Sequence, residues 1–250
     1  MYPLIHLAKG LEIPSFFLVI SLVLSISLFW VAQRAQIYKL PQKRILDLSL
    51  LLMAAALVGA RLFHVFYENP EYYAPTPWKV FYLWEGGFVY FGGAFLATLA
   101  AVLYFRFFRI KNPGAYFDTF APVLAFSYGA GRIGCFLAGC CYGRMCDYPW
   151  AVEGRHPTQL YATLWEFAVV MILLGFEKAE PRKRVFFLKQ SGSLFVFWIA
   201  LHAIGRIMME SFRDDFRGNE IFGLSISMAI SLALLLISLT MLGRISVKKS

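Results

Sequence analysis

The feature that most limits what this chain can fold into is a series of long apolar segments covering more than half of its 250 residues. A helix needs about 20 apolar residues to cross a lipid bilayer, and about seven segments meet this requirement. They lie near 14–33, 46–67, 86–105, 115–138, 157–176, 192–212 and 221–243. A hydrophobic fraction of 59% also excludes an ordinary soluble domain. We therefore predict an all-α integral membrane protein with about seven transmembrane helices, forming one polytopic domain over residues 1–250.

The distribution of basic residues predicts the orientation of these spans. Lys and Arg are concentrated after spans one, three and five and in the C-terminal tail. The positive-inside rule then places the N-terminus outside and the C-terminus in the cytoplasm, as an odd number of spans requires. On this topology, residues 1–13 form a short external segment, with an interfacial helix as one option. Residues 68–85 form a small second external segment.

The net charge of +9 fits contact with anionic lipid headgroups. A nucleic-acid partner is not expected, because the basic residues are spread over three loops and a tail. Three further cations, Arg61, Arg132 and Arg206, interrupt the apolar spans themselves. A charge inside a membrane is energetically costly and is by default a candidate functional site. We expect a shared anionic ligand, the alternative being that each arginine pairs with its own buried carboxylate.

Arg132 stands in a glycine-rich stretch at the end of span four. On a helix it shares a face with Tyr128 and Cys135, at spacings of four and three residues. Gly131 and Gly134 would let another backbone or a ligand headgroup come close. The alternative is a packing face of small residues with one arginine that extends to the interface.

Span six carries a second polar group. His202, Arg206 and Glu210 follow one another at intervals of four residues and so share one helical face, with Arg213 three residues later. Such a row is costly in a membrane unless it has a function. The alternative is an Arg206–Glu210 pair that satisfies itself while packing against span four.

Two glycine pairs, 86–87 and 92–93, mark the entrance to span three. They indicate either irregular backbone, which is tolerated at membrane depth where it lines a cavity, or tight helix packing. At the start of span five, His156, Thr158 and Gln159 are polar groups that can bind a headgroup or cap the helix.

The four cysteines, at positions 135, 140, 141 and 146, do not have the C-x2-C spacing of a structural zinc site. We expect structural disulfides or buried thiols, with a redox role and a metal site as further alternatives. A catalytic thiol would need a base such as His202 or His64 nearby. No cofactor and no metal centre are predicted.

Five blocks of sequence, in order, resemble the prolipoprotein diacylglyceryl transferase family over nearly the whole chain. The blocks are Gly59–Leu62, Trp84–Gly87 with Gly92–Gly93, Gly131–Phe136 continuing to Gly143, His156–Tyr161, and Arg206–Arg213. The resemblance implies a multi-pass enzyme of the bacterial cytoplasmic (inner) membrane with seven spans and an outside N-terminus. It would transfer diacylglycerol from phosphatidylglycerol to the lipobox cysteine thiol of a preprolipoprotein, forming a thioether and releasing glycerol phosphate.

This reaction assigns roles to the polar residues. Arg132 and Arg206 would clamp the anionic phosphate, with Arg61 as support. Glu210 would orient Arg206 or take part in proton movement, and His202 is a candidate base for the thiol. The remaining expected contacts to the lipid or the lipobox peptide are Arg61, Gly131, Gly134, Cys135, Glu85, Gly86, Gly87, Tyr90, Gly92, Gly93, His156, Gln159, Tyr161 and Arg213.

The chain departs from the family pattern at four places. Phe91 replaces a histidine before the second glycine pair, Cys135 an asparagine, Cys140 an acidic residue, and His202 a tyrosine. The usual candidate base is therefore missing, and His202 or His64 would have to replace it. The alternatives are a paralogue that uses the same phospholipid with another acceptor, and a membrane protein that binds phospholipid without turnover.

Overall fold

The computed structural model describes residues 3–8, 11–83, 86–178, 190–214 and 224–247. Within these ranges seven helices are long and apolar enough to cross a membrane, which confirms the predicted helical membrane fold. They are α1 Ser15–Ile37, α2 Gln42–Phe63 with a π-helical extension at His64–Glu68, α4 Tyr90–Phe107, α5 Pro113–Ala138, α6 Thr158–Lys178, α7 Ser193–Glu210 and α8 Ile226–Val247.

The chain before α1 differs from the helical option. It forms a two-stranded antiparallel sheet of β1 (Leu4–Ala8) and β2 (Leu11–Pro14), with Ile5 opposite Ile13. β-Branched isoleucines favour extended backbone, and Pro14 at the end of its strand has no amide hydrogen to pair. An interfacial helix in this segment was therefore the wrong expectation.

The segment between α2 and α4 is mostly irregular. It contains a short helix α3 (Pro70–Tyr73) and a 3-10 turn at Pro77–Phe81. Span three begins at Tyr90 and not near residue 86 as predicted, because Gly86 and Gly87 have φ angles of 78° and 77°. A left-handed conformation at both positions cannot continue a right-handed helix.

The chain divides into two compact units. The small unit is Ala35–Pro113, and the large unit is Met1–Arg34 together with Gly114–Ser250. In the small unit, α2 and α4 pack closely through glycines. A Cβ added at Gly92 would collide with Phe63 and with the Gly59 carbonyl, and one at Gly93 would lie 2.8 Å from the Ala56 oxygen. The glycine pair 92–93 thus packs helices together, whereas the pair 86–87 forms irregular backbone.

The large unit is built around α5, which packs Ala121 and Ala125 against Val169 and Leu173 of α6. Two buried charges fix its other helices. Asp118 of α5 accepts hydrogen bonds from the backbone N–H groups of Gly192 and Phe195, at 2.6 and 3.0 Å, and so caps the start of α7.

The second buried charge is Arg34 of α1, which the sequence suggested to be part of a basic loop. It lies 2% exposed and donates two hydrogen bonds of 2.8 Å to the Glu177 carboxylate of α6. A third hydrogen bond, of 2.9 Å, goes to the carbonyl of Thr119 in α5. This bidentate pair, with the bond to Thr119, joins α1, α5 and α6 at one end of the unit. The polar residues described next lie at the other end.

Candidate functional site

One end of the large unit carries a small cleft. The chain that leaves α5 pairs there with the chain that leaves α7, through a bridge between Gly143 and Arg213 and a 2.8 Å hydrogen bond from Arg144 N–H to the Phe212 carbonyl. The cleft is narrow, with a volume of about 10 Å³. Its walls are Arg132, Cys141, Thr158, Gln159, Ala162, Arg206, Met209 and Arg213. The structure therefore brings three guanidinium groups from α5, α7 and the chain after α7 to a single cleft.

Arg132 reaches this cleft from within the membrane-spanning part of α5. It lies about 9 Å along the axis before the helix ends at Ala138. Its guanidinium donates a 2.5 Å hydrogen bond to the Tyr128 hydroxyl and lies 4.7 Å from the centre of that ring. The expected shared face with Tyr128 is thus present. A cation held over an aromatic face keeps its orientation while its remaining N–H groups can still bind an anion.

Gly131 and Gly134 face α1 instead of the cleft. A Cβ at Gly131 would touch Ile20, and one at Gly134 would touch Phe16 and Val19. These glycines let α1 approach α5, so the structure favours the packing alternative for them and gives them no direct position at the cleft.

Arg206 is held by α8 and by its own helix. Its guanidinium donates to the Ser227 hydroxyl and lies 3.6 Å from the Glu210 carboxylate. Glu210 in turn accepts a hydrogen bond from the Ser225 hydroxyl. The predicted Arg206–Glu210 pair exists, but Arg206 also contacts α8, and Glu210 contacts the residue just before α8. The two serines were not identified from the sequence, because serines are common and these carry no spacing signal.

Gln159 connects the start of α6 to the loop after α5. Its amide nitrogen donates a 2.6 Å hydrogen bond to the Cys140 carbonyl, and the neighbouring Thr158 hydroxyl donates a 2.8 Å bond to the Cys141 carbonyl. The Gln159 side chain is 2% exposed, and its Oε1 atom has no hydrogen-bond partner within the described residues. A buried acceptor without a partner is costly, so this oxygen is suited to a hydroxyl group of a ligand.

His202 is oriented by the carboxylate of Glu166. Its Nδ1 lies 2.6 Å from the Oε1 atom of Glu166 in α6, whose side chain is 2% exposed. The imidazole also packs edge-to-face on Tyr128, with ring centres 4.6 Å apart. A carboxylate at Nδ1 fixes the tautomer and leaves Nε2 to accept a proton. Because Tyr128 also binds Arg132, a chain of contacts links His202 to the cleft.

The cysteines converge at the same end of the unit. All four are described, and all four are free thiols, so the disulfide alternative is not realised. The sulfur atoms of Cys135, Cys140 and Cys141 lie within 4.8 Å of one another and could hold a metal ion.

These thiols have unequal acidities. Hydrogen bonds from the Cys135 and Cys140 thiols lower the pKa of the Cys141 thiol. The nearby guanidinium groups of Arg132 and Arg213 lower this pKa further. The pKa of the Cys140 thiol is raised by its hydrogen bonds to the other two sulfurs. Of the three, Cys141 thus most readily carries the negative charge.

A second, larger cavity adjoins this end of the unit, with a volume of about 260 Å³. Its walls are Phe136, Gly139, Tyr142, Val152, Glu153, Arg155, His156, Pro157 and Gln159. His156 Nδ1 lies 3.2 Å from the Tyr161 hydroxyl, which also accepts a 2.8 Å hydrogen bond from the Trp150 indole. Gln159 borders both cavities, so the predicted His156 and Gln159 lie in one neighbourhood, with Tyr161 held by His156.

Arg61 belongs to the small unit and has a different environment. Its side chain is 4% exposed and donates hydrogen bonds to backbone carbonyl groups of the segment between α2 and α4. The acceptors are Lys79, Val80, Tyr82, Gly86 and Gly87. These bonds shape the irregular segment, and they favour a structural role over the predicted phosphate contact.

Three other predicted contacts, Gly87, Tyr90 and Glu85, belong to the same part of the chain. Gly87 approaches the imidazole of His64, whose Nδ1 lies 2.6 Å from Glu68 in the π-helical extension. Tyr90 is 70% exposed at the start of α4. Glu85 lies outside the described residues.

Comparison with known proteins identifies the kind of protein that carries this site. The prolipoprotein diacylglyceryl transferase family matches residues 3–244. Three relatives are named phosphatidylglycerol–prolipoprotein diacylglyceryl transferase. That of Methylobacillus flagellatus is 33% identical over 189 residues, covering 72% of this chain and 69% of its own. That of Geobacter sulfurreducens is 32% identical over 219 residues (84% and 81%), and that of Bordetella avium 31% over 219 residues (82% and 78%).

The match to the family extends over nearly the whole chain and includes every residue of the cleft. The chain belongs to the prolipoprotein diacylglyceryl transferase family.

Proposed function

We propose that this protein transfers diacylglycerol from phosphatidylglycerol to the lipobox cysteine thiol of a preprolipoprotein. The products are a thioether and glycerol phosphate. The observation that carries the proposal is the cleft that Arg132 and Arg206 line together, in a chain whose relatives are named for this reaction. Two arginines from different helices at one small cleft can bind the same phosphate group from two sides.

The donor lipid would bind with its phosphate between Arg132 and Arg206, with Arg213 on a third side. As the bond between the glyceryl carbon and the phosphate oxygen breaks, negative charge builds up on the departing phosphate. Guanidinium groups already in place stabilise that charge without reorganising. Glu210 and Ser227 hold Arg206 in position, as Tyr128 holds Arg132.

The glycerol headgroup offers hydroxyl groups to the site. Gln159 lines the same cleft, and its Oε1 atom, which has no partner among the described residues, is suited to accept a hydrogen bond from one of them. A lipid without that hydroxyl would leave the buried oxygen without a partner, so this contact favours phosphatidylglycerol over phospholipids without headgroup hydroxyls.

The acceptor thiol must lose its proton before it can attack carbon. His202, held at Nδ1 by Glu166, has its other ring nitrogen available to take that proton. Tyr128 lies between His202 and Arg132 and touches both. His202 would thus act as general base beside the phosphate clamp, with Glu166 as its positioning residue.

The multi-pass membrane fold puts the cleft near one end of the spanning helices, where a lipid headgroup would lie. We assign the protein to the bacterial cytoplasmic membrane, with the N-terminus and the cleft outside, as the distribution of basic residues predicts. The lipobox peptide, arriving from a secreted precursor, would then reach the cleft from the same side as the headgroups of the outer leaflet.

The function can be tested with the purified protein in nanodiscs that contain phosphatidylglycerol. A lipobox peptide should gain the mass of one diacylglyceryl group, and glycerol phosphate should be released in equal amount. A peptide with serine in place of the cysteine is the control and should remain unmodified. If the cysteine peptide is also unmodified, while an active relative modifies it in the same nanodiscs, the proposed function is wrong. Complementation of a strain depleted of its own transferase tests the same point in cells.

A further inference from the structure

Three cysteines at the end of α5 form a cluster that the proposed lipid chemistry does not use. The sulfur atoms of Cys135, Cys140 and Cys141 all lie within 4.8 Å of one another. Cys135 and Cys141 are half-buried, and Cys140 is exposed. None is in a disulfide, so each sulfur can act as a ligand.

The backbone at the end of α5 explains this convergence. The Gly139 N–H bonds to the Phe136 carbonyl at 3.2 Å, and the Cys140 N–H bonds to the Cys135 carbonyl at 3.1 Å. Gly139 has a φ of 75°. This is the Schellman ending of a helix, which turns the chain back and puts the residue after the glycine beside the residue five positions earlier. Cys140 is therefore brought to Cys135, although the sequence between them is longer than in the C-x2-C motif of a zinc site.

The third thiol depends on an unusual backbone conformation. Cys141 has a φ of 62°, a region that residues other than glycine seldom adopt. Hydrogen bonds from Thr158 and Gln159 to the carbonyls of Cys141 and Cys140 hold the loop in this form. The start of α6 thus fixes the two loop cysteines against Cys135.

Three sulfur ligands favour a metal ion that binds thiolates strongly. Thiolates are soft ligands that select zinc or copper(I) over magnesium or calcium, and zinc with three protein ligands keeps a fourth position open. Zinc–sulfur bonds of about 2.3 Å in a tetrahedron put the sulfurs about 3.8 Å apart. The present separations, all within 4.8 Å, need only small side-chain rotations to reach that value.

The charges around the cluster also suit a zinc thiolate centre. Three thiolates and one zinc ion carry a net charge of minus one. Cys141 lines the same cleft as Arg132 and Arg213, whose positive charges would stabilise that anionic centre. The acceptor thiol and the lipid phosphate would then meet at neighbouring points of one cleft.

We propose that Cys135, Cys140 and Cys141 bind one zinc ion, whose open fourth position receives the thiol of the acceptor peptide. The role of the open position rests on the proposed function, whereas the zinc site itself does not. On binding zinc, the acceptor thiol gives up its proton, for which His202 is the candidate base. The sulfur then bonds to the glyceryl carbon as the carbon–oxygen bond to phosphate breaks. The electron pair leaves with the phosphate, and the neutral thioether, a weak ligand, leaves the zinc.

Metal binding is tested first on the reduced, full-length protein in detergent. Cobalt(II), which reports thiolate ligands through a charge-transfer band in the near ultraviolet, should bind with a stoichiometry of one and be displaced by zinc. Cys140→Ser and Cys135→Ser should weaken zinc binding more than about 100-fold. The matched control is Cys146→Ser, because Cys146 lies outside the cluster, and this variant should bind as the wild type does.

A folding defect in the serine variants is separated from a loss of ligands by thermal unfolding. Zinc should raise the melting temperature of the wild type and of Cys146→Ser, but not that of a folded Cys140→Ser protein. Zinc binding no stronger in the wild type than in Cys140→Ser, or equally weakened in Cys146→Ser, would overturn the site.

The open position is tested with the acceptor. A lipobox peptide should change the cobalt spectrum, whereas its serine counterpart should not. Wild-type protein stripped of metal by a chelator should lose turnover at least ten-fold and regain it when zinc is returned. Full turnover by the stripped protein would overturn the role of zinc while leaving the proposed transferase function intact. An absence of turnover in stripped and zinc-loaded protein alike would instead count against the proposed function.

Discussion

Two regions of this protein each place an arginine in an apolar helix, and the two arginines have opposite surroundings. In the small unit, the Arg61 guanidinium donates to five backbone carbonyls of the segment between α2 and α4. In the large unit, Arg132 has one hydrogen-bond acceptor among the described residues, the Tyr128 hydroxyl, and its side chain borders a cleft. A guanidinium has five N–H donors. Arg61 uses them for the fold, whereas most of the Arg132 donors have no acceptor among the described residues.

The difference shows that a cation in an apolar span does not by itself identify a binding site. Arg61 is buried and Arg132 is half-buried, and a guanidinium withdrawn from water needs partners in either case. What separates them is whether the protein itself supplies those partners. Arg206 is intermediate, since it borders the same cleft as Arg132 but has Ser227 and Glu210 as partners within the protein.

The largest expected effect is loss of turnover when a cleft arginine is removed. Arg132→Ala and Arg206→Ala should each lower kcat/KM by about 100- to 1000-fold, because the phosphate loses a preorganised donor as its charge develops. Arg132→Lys should also lose at least about ten-fold, since an ammonium cannot replace a planar two-pronged donor. The rate of peptide modification in nanodiscs measures this, with the exposed Arg106→Ala as the control. Wild-type rates for Arg132→Ala would remove this residue from the site.

The second-largest expected effect tests whether His202 is the general base. His202→Phe should lower kcat about 100-fold while lipid binding is retained, because only proton transfer is lost. Glu166→Gln should lower kcat about ten-fold, since the amide no longer holds the imidazole in one tautomer. If both variants turn over at the wild-type rate at every pH, His202 is not the base.

A comparison of stability tests the contrast between the two units directly. Arg61→Ala should lower the free energy of unfolding by about 1–3 kcal/mol, because several buried carbonyls lose their donor. Arg132→Ala should lower it less, as that side chain has fewer partners within the protein. Thermal unfolding in one detergent compares the two variants. The account fails here if Arg61→Ala is as stable as the wild type but inactive.

The smallest effect concerns the headgroup. Gln159→Leu should raise KM for phosphatidylglycerol up to about ten-fold with little change in kcat, as expected for one hydrogen bond to a ligand hydroxyl. Initial rates over a series of lipid concentrations measure it, with the exposed Gln42→Leu as the control. An unchanged KM would mean that Oε1 of Gln159 does not contact the headgroup.

Much of the fold followed from the sequence because membrane-spanning helices are a local property. Length and apolar composition predicted seven spans, and the structure has seven within the described ranges. The two differences from the predicted fold also have local causes. The glycine pair 86–87 delays the start of α4, and isoleucines pair across the hairpin before α1.

The site was less predictable because its contacts join distant parts of the chain. Arg61 and Arg206 look alike in sequence, and they are separated by the backbone carbonyls, among them those of Val80 and Gly87, that return to Arg61. His202 and Glu166 lie on different helices, so their pairing had no spacing signal. One part of the site did have such a signal: a glycine four residues after Cys135 is typical of a Schellman ending, which brings Cys140 back to Cys135.

The central claim is that Arg132 and Arg206 hold the same phosphate, and a double-mutant cycle on kcat/KM tests it most directly. Arg132→Lys, Arg206→Lys and the double variant, which keep a positive charge at each position, are compared with the wild type in phosphatidylglycerol nanodiscs. If both side chains contact one phosphate, their effects should depart from additivity by more than about 1 kcal/mol. Additive effects, within about 0.5 kcal/mol, would show that the two arginines act at separate places and would contradict the account.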